Sequence, residues 1–155
     1  MRTLPVRLAT LDDLDGIFQT HRHSVEHLCT REYSAEQINM WLDGRSPATY
    51  RDAVEQGWVW LVHSDEILGF VEIEGNEVSK LFIRGDGAGR GIGSQLLDVA
   101  IEHIRASGAA TVYLEATLTA EAFYARHGFQ KIGEGAFSRG NSPVSIGIVK
   151  MQRDI

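Results

Sequence analysis

The chain reads as an α+β fold: a central, mostly antiparallel sheet flanked by helices, with one strand–helix–strand crossover. Three observations predict it. Strand-like runs at Trp58–Val62, Ile67–Glu74 and Glu77–Ile83 are separated only by short turns, the pattern of antiparallel neighbours. The third run passes through a loop with five glycines between Gly85 and Gly93 into an amphipathic helix and a further strand, which makes the crossover. Further helical patterns precede the sheet, between Thr10 and Gly57.

In order, Val6-Arg7-Leu8 alternates as a short strand, and Thr10 with Asp13 signals a helix start. The helix that follows places Leu14, Ile17, Phe18, His21, Val25 and Leu28 on one face, while His23 and His27 fall on others. Ser34 and Gln37 form a second capping box, opening a helix with Ile38, Trp41 and Leu42. Ser46-Pro47 starts a third, with Tyr50, Ala53 and Val54 buried and Gly57 just past its end. Ser64-Asp65-Glu66 and Gly75-Asn76 are the turns of the strand meander. The helix beyond the glycine loop begins at about Ser94, carries Leu97, Ala100, Ile101 and Ile104, and closes at Gly108. Val112–Ala116 is a short strand, and Thr119–His127 is a helix stopped by Gly128. Phe129–Ile132 and Val144–Met151 are the last strands. With no repeat, low-complexity segment or linker, one domain over 1–155 is expected.

At 155 residues and 43% hydrophobic, the chain can bury a proper core. A net charge of −6 argues against a nucleic-acid binder. The single Cys29 excludes an internal disulfide and fits a reducing compartment. No apolar run reaches membrane-spanning length, and Met1-Arg2-Thr3-Leu4-Pro5 is no signal peptide, so a cytoplasmic protein without membrane partners is expected. The six histidines lack ligand spacing, and no metal site is expected.

The glycine loop reads either as a mere flexible turn or as an anion cradle. Glycines let backbone amides approach a ligand closely, and the helix N-terminus adds unpaired donors and partial positive charge. Phosphate or pyrophosphate suits it. The loop lacks the Lys-Ser/Thr pair of a P-loop. The dinucleotide fingerprint G-x-G-x-x-G also fails, because its sixth position falls on Arg90, Ile92 or Ser94.

What the loop does match is Ala88-Gly89-Arg90-Gly91-Ile92-Gly93, which resembles the Q/R-x-x-G-x-G/A signature of the GNAT superfamily of N-acetyltransferases. Ala88 stands where that family usually has Gln or Arg. Ala122-Phe123-Tyr124-Ala125-Arg126-His127-Gly128-Phe129 resembles the family's A-x-x-F-Y-x-x-x-G-F element, with a one-residue difference in spacing and Thr119 in place of an upstream Asn. Two motifs in the right order, with a helix and a strand between them, are more specific than either alone.

The resemblance implies acetyl-coenzyme A as co-substrate and an amine of a small molecule or protein as acceptor. The backbone of Leu81, Phe82 and Ile83 would pair with the pantetheine arm like an added strand. Amides from Ala88, Gly89, Arg90, Gly91, Ile92, Gly93 and Ser94 would hold the pyrophosphate, with Arg84 or Arg90 adding charge. Tyr124 is nominated to protonate the leaving thiolate, or it is simply a packed aromatic beside Phe123. Glu77 is nominated as the base that takes the amine proton, directly or through water. Period-two alternation groups Glu77 with Ser79, Leu81 and Ile83 on one face. Glu72 and Glu115 are reserves, and Glu115 also counts among substrate contacts. His21, Tyr33 and Trp41 either wall the acceptor pocket or pack in the core. Nothing in the sequence activates Cys29 as an acyl carrier. The principal alternative is a sensor module that binds acyl-coenzyme A with little catalysis. An exposed sheet edge would support a homodimer.

Overall fold

The computed structural model describes residues 4–155; the Met1-Arg2-Thr3 part of the expected leaderless start lies outside them. Seven strands form one sheet: β1 (Val6–Leu8), β2 (Val59–His63), β3 (Ile67–Glu74), β4 (Glu77–Ile83), β5 (Thr111–Thr117), β6 (Gln130–Phe137) and β7 (Ile146–Asp154). Their order across the sheet is β1-β2-β3-β4-β5-β7-β6. Only β4 and β5 run parallel, because a helix crosses between them. The helices are α1 (Leu14–Leu28), α2 (Ala35–Leu42), α3 (Arg51–Glu55), α4 (Ile92–Ala106) and α5 (Glu121–Arg126). Among the described residues, no helix is long and apolar enough to cross a membrane.

The capping signals act as their chemistry requires. The Thr10 amide donates to Asp13 Oδ2 at 2.8 Å, and Ser34 and Gln37 satisfy each other's amides at 2.8 and 3.2 Å. Boundaries moved where tertiary packing extended or trimmed an element. The segment after Pro47 is a 3-10 turn followed by the short α3. Helix α4 begins at Ile92, two residues before the expected Ser94, because Gly91 takes a left-handed φ of 76° as its N-cap. Strand β6 runs to Phe137, five residues past the expected Ile132, because β7 pairs with it throughout.

Packing divides the core between the two faces of the sheet. On one face α4 buries Leu96, Leu97, Ala100, Ile101 and Ile104 against Val71, Ile73, Val112 and Leu114. Each such aliphatic side chain contributes about 1.5–3 kcal/mol on full burial. On the other face α1 sets Leu14 and Ile17 against Leu61, Ile67 and Phe70, and Val25 joins Trp41 and Ile148 farther along. Gly69 marks the closest approach of α4 to the sheet, since a Cβ there would meet Ile83 at 2.7 Å and Leu96 at 3.1 Å.

Candidate active site

The parallel strands β4 and β5 pair only at Glu77–Tyr113 and Val78–Leu114, then part. From Ser79 onward β4 keeps β3 on one side and has no strand on the other. Leu81, Phe82 and Ile83 therefore present an unpartnered backbone edge along the opening. A β-bulge sits at the parting point. Glu72 faces Lys80 and Ile73 faces Val78, so Ser79 is the extra residue. Its hydroxyl donates to Glu72 Oε2 at 2.6 Å, which pins the bulge.

The bulge overturns the expected alternation. Leu81 and Ile83 pack with Val78 on the α4 face, whereas Glu77 and Phe82 line a cavity on the opposite face. Simple period-two counting cannot see an inserted residue, and each insertion flips every side chain before it.

Two cavities meet at the parting. The first, about 190 Å³, runs along β4 and is lined by Leu81, Phe82, Ile83, Gly93, Ala116, Phe123 and Tyr124 among others. Tyr124 is 6% exposed, and burial pushes its hydroxyl pKa up, so it stays protonated. The helix that carries it is anchored through His127. That ring donates from Nδ1 to the Phe123 carbonyl at 2.9 Å and accepts at Nε2 from Ser94 Oγ at 3.0 Å. Helix α5 is thereby tied to the first turn of α4, a link the sequence reading missed.

At the end of this cavity lies the glycine loop. Gly89 and Gly91 have φ of 77° and 76°, and nothing lies within 4 Å of a Cβ built on Gly89. Among the described residues, the amides from Gly89 to Ser94 find no acceptor, and Ala88 and Arg90 are exposed. The donor set suits a phosphate group. Arg84 is engaged elsewhere, 3.2 Å from Asp86 and 3.6 Å from Glu66. His23 also holds the loop, accepting from the Gly85 amide at 2.9 Å. Buried Cys29 lines the first cavity, but burial pushes its thiol pKa up, away from the thiolate.

The second cavity, about 220 Å³, shares Ser79, Lys80, Phe82, Glu115 and Thr117 with the first and adds His21, Trp41, Arg45 and Glu77. Burial, then the charges of Glu115 and Glu74, pushes the Glu77 carboxyl above its ordinary range. Glu72, 5% exposed, is committed to Ser79 and to Lys80 Nζ at 2.9 Å. Glu115 accepts from the Tyr113 hydroxyl at 2.8 Å. His21 and Trp41 reach the cavity while packing against Phe82. Tyr33 lines neither cavity. Its hydroxyl donates to the Gly147 carbonyl at 2.7 Å and accepts from the Leu118 amide at 2.9 Å, which staples the helical layer to β7. Arg45 gave no sequence signal, because it sits between helices with no motif around it.

The architecture has close parallels. A family model described as an acetyltransferase (GNAT) domain matches residues 29–149. The uncharacterized N-acetyltransferase YafP of Escherichia coli is 24% identical over 133 residues, 85% of each chain. A GCN5-related N-acetyltransferase from Rhodopseudomonas palustris superposes with a TM-score of 0.93 at 21% identity, covering 100% of this chain and 98% of that one. The PaiA N-acetyltransferase of Thermoplasma acidophilum, solved with coenzyme A, gives 0.80 at 18% identity over 99% and 100%. With a matched segment that spans both the glycine loop and the Tyr124 element, the chain belongs to the GNAT superfamily of N-acetyltransferases.

Proposed function

We propose that this protein transfers the acetyl group of acetyl-coenzyme A to a primary amine by direct attack in a ternary complex, with Glu77 as base and Tyr124 as acid. The observation that carries this reading is the pair of cavities joined where β4 and β5 part, with Tyr124 on one and Glu77 on the other. The first cavity suits the donor: a free strand edge for the pantetheine amides, then loop amides for the pyrophosphate. The relative solved with coenzyme A supports this assignment. The second cavity suits the acceptor.

The protons balance between the two residues. Glu77 takes one from the bound ammonium, which frees the nitrogen lone pair for attack, and its raised pKa makes it a stronger base than an ordinary glutamate. The freed amine nitrogen forms a bond to the thioester carbonyl carbon, and the carbon–sulfur bond breaks. Tyr124 donates its proton to the departing sulfur and regains one from the acylated nitrogen, and Glu77 releases its proton to solvent, leaving a neutral amide and a free thiol. Cys29, with its thiol held neutral, takes no part.

The test is calorimetric titration with acetyl-coenzyme A, coenzyme A and NAD, followed by an amine screen that reads free thiol. Binding of the first two, no response to NAD, and thiol release that depends on added amine are expected. Binding without amine-dependent release would favour a sensor instead.

A further inference from the structure

His21 has an unfinished hydrogen-bond set. The side chain is 1% exposed, its ring stacks on Phe82 with centroids 3.9 Å apart, and both residues line the second cavity. Nδ1 lies 2.7 Å from the Tyr50 hydroxyl, while buried Nε2 has no partner among the described residues. The positive charge of Arg45 acts on that same hydroxyl. A cation there favours an oxygen that accepts from Arg45 and a hydroxyl that donates to Nδ1. His21 then carries its hydrogen on Nε2. Burial, followed by the charges of Arg45, Lys80 and Arg139, disfavours a second proton. A neutral ring thus offers one unsatisfied donor, and its natural partner is an oxygen of the ligand.

The nearby charges are unequally matched. Lys80 is neutralised by Glu72 at 2.9 Å. Arg45, half-buried, gives its Nε to the Trp41 carbonyl at 3.1 Å and stands in no ion pair among the described residues. Arg139, from the β6–β7 loop, also stands in no ion pair among the described residues, and its Nη2 comes to 3.5 Å from where a Cβ on Gly44, the chain neighbour of Arg45, would stand. Arg45 lines the cavity, and the charge of Arg139 reaches both Arg45 and His21. Glu72, the carboxylate nearest in effect, is already paired with Lys80, so the two guanidiniums offer a carboxylate subsite. The same cavity holds Glu77 and Glu115, which suit an ammonium. This one cavity of about 220 Å³ holds both the carboxylates and the Arg45 guanidinium, which favours an acceptor carrying amine and acid on one small molecule.

We propose that the acceptor is a small amino carboxylate, its amine at Glu77 and its carboxylate bound by Arg45 and Arg139 with His21 Nε2 donating. This deepens the acetyl-transfer reading and rests on it.

The experiment pairs L-amino acids with their carboxamides and decarboxylated amines, and adds β-alanine and γ-aminobutyrate to separate α- from ω-amino acids. Amine-dependent thiol release gives kcat/KM for each, and calorimetry with N-acetyl-L-amino acids and their amides reads the subsite without turnover. Acids should exceed their amides by roughly tenfold or more in both readouts, as expected for hydrogen bonds between charged groups. Arg45→Gln and, independently, the loop variant Arg139→Gln should each erode that preference, with folding checked by circular dichroism. Acetyl transfer with no preference for acids overturns the acceptor assignment and leaves the transfer reading standing. Arginine-dependent binding of acids without transfer to any amine does the reverse. Neither binding nor transfer defeats both.

Discussion

Glu115 strengthens the hold of Glu77 on a proton: the two carboxylates line one pocket from neighbouring parallel strands, and the charge of Glu115 adds to the effect of burial. The active form of Glu77 as a base is the carboxylate, so kcat/KM should rise with pH through a midpoint above the ordinary glutamate value of about 4.3. Glu77→Gln should remove that limb and lower the rate about 10²–10⁴-fold. Glu115→Gln should move the midpoint down. A pH–rate profile unchanged in both variants would assign the base elsewhere.

Tyr124 is buried and stays protonated across the working pH range. Tyr124→Phe keeps the ring contacts with Phe123 and Phe129 but deletes the donor. Turnover should fall by about two to four orders of magnitude while affinity for acetyl-coenzyme A stays near that of the parent. Pre-steady-state rates with calorimetric Kd values separate the two quantities.

Gly69→Ala should destabilise the protein at the packing of α4 on the sheet, beside the Ile83 wall of the first cavity. The new methyl would meet the Ile83 side chain at 2.7 Å and Ile92 and Leu96 at 3.1 Å, so these side chains must shift in a packed core. Overpacking of this kind costs about 1–3 kcal/mol. A urea midpoint equal to that of the parent would show that the side chains yield freely.

Tyr33→Phe tests the staple. It retains the ring beside Trp41 but leaves the Gly147 carbonyl and Leu118 amide without their partner. A loss of about 1–3 kcal/mol is expected in chemical denaturation. A larger effect on acceptor KM than on stability would instead make Tyr33 part of the pocket.

Asp13 carries an acid-sensitive share of stability. Its hydrogen bonds to Arg7, above all, hold its pKa down at about 2. The folded state therefore binds this proton more weakly than the unfolded chain, whose value is about 3.9. The contribution is complete above that unfolded value and disappears as pH falls through the folded one. Asp13→Asn should lower Tm at neutral pH and flatten the decline of Tm on acidification.

Much of this site was legible in the residues. The glycine loop announced itself by composition, the Tyr124 element by its order after the loop, and the capping boxes by Thr10/Asp13 and Ser34/Gln37. Each depends on neighbours close in the chain. The side that Glu77 faces was not legible, because a single bulged residue at Ser79 reverses the alternation. Whether Tyr33 walls the pocket or packs in the core was not legible either, because its hydroxyl holds Gly147 and Leu118, far away in sequence.

By itself, then, the sequence determined the elements, their order, the crossover and the superfamily, since these follow from local periodicity, turn chemistry and short motifs. Tertiary structure decided which side chains share a cavity. The parting of β4 from β5, the meeting of Arg45 and His21 in one cavity, and the placement of Glu77 and Tyr124 on adjoining cavities all arise from contacts between distant segments. No local pattern encodes those, because they are set by how the helical layer and the split sheet pack together.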